Sequence, residues 1–364
     1  MTLCVDLIAA ARPNFMKVAP LYRALAEQSQ VFRPRLVHTG QHYDDNMSGA
    51  FFRDLGLPAA HAHLGVGAGT HAQQTGGVMI AYEALCARER PDLTIVVGDV
   101  NSTAACTLAA AKLNIAVAHL EAGLRSGDRS MPEEINRIVT DALADVLWTP
   151  SPDADENLLR EGVPSARISC VGNIMIDALE LGRSRIESRP YARELGLRPR
   201  EYAVVTLHRP SNVDDPGKLQ ELVRVLSQCS AEMPLVFPVH PRTRKSLIEF
   251  GLWARIEGTP GLHAIEPLGY VEFMSLVFTS AAVVTDSGGL QEETTYLGIP
   301  CVTLRDNTER PVTLAGTNRL ARAPDLPDAL HEVRSGRWPR GQVPELWDGR
   351  TASRIICDLK RRFF

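Results

Sequence analysis

Short apolar runs alternate with helical patterns along almost the whole chain. Near-continuous apolar stretches predict strands at Leu3 to Ala11, Pro34 to Thr39, Leu93 to Gly98, Ala116 to Glu121 and Val146 to Thr149. Between them apolar positions recur at helical spacing, as in Met16 to Gln28 and Ala104 to Leu113. A second series follows Gly172, with strands at Tyr202 to Leu207, Leu235 to Val239, Leu262 to Ile265, Ala281 to Thr285 and Cys301 to Leu304. Strands without polar alternation are covered on both faces, and the intervening helices supply the cover. The pattern therefore predicts an α/β chain with two parallel sheets, each a Rossmann-like domain. The turn Val171-Gly172-Asn173 separates residues 1–172 from 173–348. In 349–364, Ile355, Ile356, Leu359 and Phe363 share one helical stripe, which predicts a closing helix docked on a neighbouring surface.

Composition narrows the function classes. At 364 residues the chain exceeds one ordinary core and suits two domains. A net charge of −4 argues against general affinity for nucleic acid or anionic membrane, so an anionic ligand must be held by local cations. The seven cysteines are odd in number and contain no C-x-x-C pair, which predicts reduced core residues. The N-terminus carries no basic region ahead of an apolar stretch, and no apolar run is long enough to span a bilayer; the expected location is the cytoplasm.

In open α/β sheets ligands sit beyond the carboxyl ends of the strands, so the polar residues that follow each strand are the candidates. After Val283-Val284-Thr285 come Asp286, Ser287, Gly288, Gly289 and then Glu292-Glu293, with a helix expected over Gln291 to Leu297. Small residues before a helix N-terminus suit phosphate, and an acidic pair in the first turn suits ribose hydroxyls. An N-capped helix with dipole-complementing acids fits the same residues. After the first strand, Arg12 and Lys17 offer cations for a diphosphate. Asp99 follows the third strand, Glu121 ends the fourth, and Glu133-Glu134 follow Pro132, where acids also fit a plain helix start. Three carboxylates on neighbouring rims could supply general acid and base to one substrate. His208-Arg209 and His240 with Arg242 close two strands of the second series, where histidine could touch phosphate or carry a proton. The glycines of Gly65-Val66-Gly67-Ala68-Gly69 follow no predicted strand and read as a flexible loop, and the nearby His61, His63 and His71 lack the partners of a metal shell.

Taken in order, these segments resemble the UDP-N-acetylglucosamine 2-epimerase family over nearly the whole chain. The carriers are Ala11-Arg12-Pro13 with Lys17, Gly40-Gln41-His42, Val97-Gly98-Asp99, His119 to Arg125, Pro132-Glu133-Glu134 with Asn136-Arg137, Gly172-Asn173, His208-Arg209, Asp286 to Gly289 with Gln291 to Glu293, and Thr308-Glu309-Arg310-Pro311. The resemblance implies the architecture of two-domain nucleotide-sugar glycosyltransferases (GT-B), an active site in the cleft between the domains, a final helix returning to the first domain, and a homodimer. By position it implies Asp99, Glu121, Glu133 and His208 as catalytic residues. Arg12, Lys17, Arg137, Arg209, Ser287, Gly288, Gly289, Glu293, Thr308, Glu309 and Arg310 would bind the UDP-sugar, and Gln41, His42 and His240 fall where some relatives carry a regulatory site. It implies no metal or redox cofactor, and a place in cell-surface polysaccharide biosynthesis.

The implied reaction inverts carbon 2 of UDP-N-acetylglucosamine. Its carbon-2 proton is not acidic, so the route is anti elimination of UDP to a 2-acetamidoglucal and re-addition with the proton delivered to the opposite face. Asn14, where many members carry glutamate, and Pro210-Ser211-Asn212 depart from the family pattern, as do residues 43–47 and Gln73-Gln74-Thr75, which bear on allosteric activation. A hydrolysing epimerase, an epimerase of a modified UDP-N-acetylhexosamine, a glycosyltransferase of the same fold and a non-catalytic nucleotide-sugar sensor are the alternatives.

Overall fold

The computed structural model describes residues 2–40 and 55–364. Two compact units emerge: Met1–Leu181 with Glu345–Phe364, and Gly182–Pro344. The division falls inside the helix Ile174–Ser188, a little beyond the turn at Gly172.

The first unit holds strands β1 (Leu3–Ala9), β2 (Phe32–His38), β3 (Ala62–His63), β4 (Leu93–Val97), β5 (Ala116–Leu120), β6 (Val146–Thr149) and β7 (Ile168–Cys170). They lie in the order β3-β2-β1-β4-β5-β6-β7, and each described pairing is parallel. Alternate residues feed opposite faces, which explains the unbroken apolar runs. Val5, Leu7, Ile95 and Val97 join one core with Phe15, Val18 and Leu21 of the helix Arg12–Ala26. Ile8, Val37 and Val96 join the other, under the helices His71–Arg88 and Asn101–Lys112. The chain's last helix, Thr351–Phe363, adds Ile355, Ile356 and Leu359 to the first of these cores. Asp177 fixes its start by accepting from the amides of Thr351 at 3.1 Å and Ala352 at 2.8 Å, and the buried Trp148 indole donates to Asp358 at 2.8 Å.

The second unit holds β8 (Ala203–Thr206), β9 (Leu235–Pro238), β10 (Leu262–Ile265), β11 (Ala282–Thr285), β12 (Cys301–Thr303) and β13 (Asn318–Leu320), in the order β10-β9-β8-β11-β12-β13. Its described pairings are also parallel. Both orders reverse direction once, between β1 and β4 and between β8 and β11, and such switch points are where doubly wound sheets receive ligands.

Three edge strands, β3, β7 and β13, have no counterpart in the hydrophobic pattern. One consequence is a correction: the glycine-rich segment at Gly65 does follow a strand, the two-residue β3. A second concerns the helix expected over Gln291 to Leu297, which starts at Gly288, so both glycines belong to its first turn. Among the described residues no helix is long and apolar enough to cross a membrane.

Candidate functional site

At the first switch point, the end of β4 delivers Gly98 and the end of β5 delivers Glu121. Lys17, on the inner face of the helix Arg12–Ala26, forms a buried ion pair with Oε2 of Glu121. Glu121 is 4% exposed and has φ +74°, a left-handed conformation that costs a side-chain-bearing residue roughly 1–2 kcal/mol. Its Oε1 is buried without a hydrogen-bond partner among the described residues. Gly98 has φ +68°, and a Cβ there would lie 3.3 Å from both Glu121 Oε2 and Lys17 Nζ. Asn14 holds this corner from below: its amide donates to Val97 O at 3.0 Å and its oxygen accepts from Ala11 N at 3.1 Å. An ionised glutamate at that position could not make the first of these bonds.

Next to Gly98, Asp99 accepts through Oδ2 from Arg137 Nη2 at 2.5 Å and Nε at 3.1 Å. Arg137 also binds Glu134 at 2.7 Å. Glu134 is fully engaged, accepting in addition from Ser126 and Gly127, and these donors together outweigh burial and hold its carboxyl below the usual range. Glu133, its neighbour in the first turn of the helix Pro132–Leu143, is exposed and has no hydrogen-bond partner among the described residues. The structure thus brings Lys17, Gly98 and Glu121 together, with Asp99 and Arg137 adjoining, and gives Glu133 no partner. Beneath them His119 bonds Gly98 O through Nε2 at 2.9 Å and Asp141 through Nδ1 at 2.6 Å.

At the second switch point the buried Asp286 organises the ends of β8 and β11. It accepts from the backbone amides of His208 and Arg209, from Asn212 Nδ2 and from His208 Nδ1 at 2.8 Å. Burial opposes ionisation of Asp286, yet these donors keep its carboxyl below the ordinary value. With Nδ1 turned to Asp286, the other ring nitrogen of His208 has no hydrogen-bond partner among the described residues. Ser287 stands at the N-cap of the helix Gly288–Leu297 without capping it through its hydroxyl. A side chain at Gly288 would strike Glu309 Oε1 at 2.6 Å and Arg310 Nη1 at 2.7 Å, whereas one at Gly289 would meet no atom of the described residues within 4 Å.

A buried charge cluster flanks this helix start. Arg305 binds Glu309 Oε2 at 2.7 Å, Arg310 binds Glu309 Oε1 and Glu292 Oε1, and Arg209 Nη2 lies 3.8 Å from Glu309 Oε1. Burial pushes the Glu309 carboxyl up, but Arg310 and Arg305 outweigh it and hold the group far below the usual range. Thr308 donates to Gln291 at 2.8 Å and steadies the amide of Arg310. Glu293 faces elsewhere and accepts from the Tyr270 hydroxyl at 2.7 Å; burial, then the neighbouring Glu292, push its carboxyl up to about 7 against that hydrogen bond. His240 begins the helix Pro241–Glu249, accepts from Arg242 N at 3.2 Å, and has its ring centroid 5.7 Å from that of His208.

The family model for UDP-N-acetylglucosamine 2-epimerase matches residues 23–360. The chain belongs to that family. It is 38% identical over 365 residues to the UDP-N-acetylglucosamine 2-epimerase of Methanocaldococcus jannaschii, covering 97% of each chain. It is 42% identical over 306 residues, 83% of each chain, to the UDP-2,3-diacetamido-2,3-dideoxy-D-glucuronate 2-epimerase of Pseudomonas aeruginosa. A crystal structure of the M. jannaschii enzyme in complex with UDP-GlcNAc and UDP superposes with a TM-score of 0.89 at 38% identity, covering 99% of this chain and 100% of that one. A lipopolysaccharide outer core galactosyltransferase, at 14% identity and TM-score 0.56, covers 98% of this chain and 99% of its own, and shares the fold alone. This chain is accordingly an isomerase with the two-domain GT-B architecture.

For the epimerase, Gln41 and His42 lie outside the described residues, as does the side chain of Arg12, whose backbone opens the first helix. The sequence pattern gave no orienting role to Asp286, though it follows a predicted strand, and Tyr270 sits in an ordinary helical pattern with no signal. His61, His63 and His71 bond separately to Glu89, His38 and Asn101, and among the described residues no three His, Cys, Asp or Glu side chains group to hold a metal ion.

Proposed function

We propose that this epimerase interconverts UDP-N-acetylglucosamine and UDP-N-acetylmannosamine by elimination and re-addition of UDP. The second unit holds the nucleotide, with the first-turn amides of Gly288 and Gly289, Ser287, Arg310 and His208 on the diphosphate and Glu293 on the ribose. Arg12, Lys17, Asp99, Glu121 and Glu133 of the first unit serve the sugar. One group takes the proton from carbon 2 as the bond from carbon 1 to the phosphate oxygen breaks and the double bond forms. UDP departs with the bonding pair, so cations and helix-terminal amides lower the barrier. The phosphate oxygen then attacks carbon 1 while a proton reaches carbon 2 from the other face, which requires more than one acid or base. The observation that carries the reading is Glu121: a buried carboxylate on strained backbone, fixed through one oxygen by Lys17, with the other oxygen lacking a hydrogen-bond partner among the described residues. Strain and an unspent buried oxygen in one residue mark a site kept for something other than stability.

A proton-NMR time course with UDP-N-acetylglucosamine in deuterated water tests this. Epimerised product carrying deuterium at carbon 2 is expected; inversion with the original hydrogen retained rules the route out. The 42% identity to the diacetamido-glucuronate epimerase favours a second reading, in which a modified UDP-N-acetylhexosamine is the preferred substrate, and the same experiment with that sugar compares the two rates. A cytoplasmic homodimer drawing on nucleotide sugars completes the proposal.

A further inference from the structure

The two adjacent acids of the helix Gly288–Leu297 have separate partners. Glu292 turns to Arg310, Nε to Oε1 at 2.9 Å, and is 1% exposed. Glu293, one helical turn after Gly289, lies on the same helix face as that glycine, since residues four apart stack along the axis. A ligand whose phosphate meets the amide of Gly289 therefore has its next group about 6 Å further along the helix, at Glu293. The hydroxyl of Tyr270, first residue of the helix Tyr270–Thr279, donates to Glu293 Oε1 at 2.7 Å. Burial and the facing carboxylate keep this phenol protonated, so it stays a donor. The tyrosine is partly buried, and its ring edge faces Gly182, with Cε1 4.0 Å from where a Cβ on that glycine would stand.

We propose that Tyr270 is a positioning residue for nucleotide recognition: by occupying Oε1 of Glu293 it fixes the carboxylate plane and turns Oε2 toward the vicinal hydroxyls of a ribonucleoside diphosphate. The inference rests on the assignment of Glu293 to the ribose. An unfixed carboxylate would rotate about its last bond and spend entropy to meet two hydroxyls, whereas one locked at Oε1 meets them ready-made. Tyr270 thereby sharpens discrimination against nucleotides that lack those hydroxyls, because a site with a buried acceptor loses most when the donor is missing.

Calorimetric titration of the full chain with UDP and with 2′,3′-dideoxy-UDP tests the role. Wild type should prefer UDP by on the order of 100-fold, since two hydroxyl bonds to a carboxylate are lost in the analogue. Tyr270→Phe keeps the ring and should weaken UDP by up to about tenfold, the cost of immobilising a carboxylate left free to rotate, while leaving dideoxy-UDP unchanged. Equal weakening of both nucleotides makes Tyr270 a packing residue and overturns the proposal, as does no change in either. Glu293→Gln separates the underlying assignment: if this variant keeps the full preference for UDP, the ribose is bound elsewhere, and the assignment itself fails.

Discussion

Replacing Glu121 by glutamine keeps the side chain's size and one acceptor oxygen but removes the charge that faces Lys17. The two side chains are 3% and 11% exposed. Removing one partner of a pair this buried leaves an uncompensated ammonium, and such losses run to about 3–5 kcal/mol; the surviving acceptor puts Glu121→Gln near the lower end. For a unit of this size that corresponds to a fall in Tm of roughly 5 to 10 °C. Turnover should fall about 100-fold or more, the usual contribution of a positioned acid or base. The double variant Lys17→Met/Glu121→Gln removes both charges, and neutralising a buried pair is commonly neutral or stabilising. Its Tm should therefore return most of the way to wild type, measured by scanning calorimetry, while turnover measured by proton NMR stays at or below that of Glu121→Gln. A double variant that regains turnover along with stability would make the carboxylate a structural counter-ion only. Near-normal turnover in the single variant would refute its role directly.

Glu293→Gln reads the cost of keeping an acid in the second unit. A folded value of about 7 lies above the ordinary 4.5, so the folded chain holds the proton more tightly than the unfolded one. The stability this lends is full below pH 4.5 and is lost as pH rises through 7. At about 1.36 kcal/mol per unit, the variant should gain up to roughly 3 kcal/mol over wild type at pH 8 and almost nothing at pH 4; equal effects at both pH values would contradict the raised value. His208→Ala should lower turnover on the order of 100-fold by removing a donor to the leaving diphosphate, with little loss of Tm because Asp286 keeps the amides of 208 and 209 and Asn212. Normal turnover there leaves the histidine a strand-end residue.

Much of the fold was legible because buried parallel strands announce themselves as unbroken apolar runs, and each central strand of both sheets was found that way. The edges were not. β3, β7 and β13 are two or three residues long, with His63, Ser169 and Arg319 among them, and so few residues carry no period. The rims were legible as well, since topology alone puts Asp99, Glu121, His208 and Asp286 after strands. Which oxygen each spends, and on what, was not. Glu133 and Glu134 are one position apart on a helix start, and only packing decides that Glu134 is buried against Arg137 while Glu133 meets solvent. Glu309 follows a strand like a ligand contact, yet both of its oxygens are engaged by arginines. Such pairings depend on side chains distant in sequence, as with Tyr270 and Glu293.

Backbone strain around the first switch point is distributed unevenly, and that distribution bears on function. Gly98, Glu121 and Gly123 all have positive φ. The two glycines have local reasons: a Cβ on Gly98 would press on the Lys17–Glu121 pair, and one on Gly123 would lie 2.4 Å from Ala154 O. Neither excuse applies to Glu121, where glycine would relieve the strain at no steric cost. The other described non-glycine residues with positive φ, Asn114, Arg200 and Leu346, are exposed or partly exposed, where turns meet such angles without a buried charge. Glu121 alone among them combines a left-handed backbone, burial and a carboxylate. Stability would discard each of the three, and keeping them together also commits Lys17 to neutralise the charge. The expense makes physical sense only if the side chain is needed where the strained turn aims it, beyond the carboxyl end of β5 and beside Gly98.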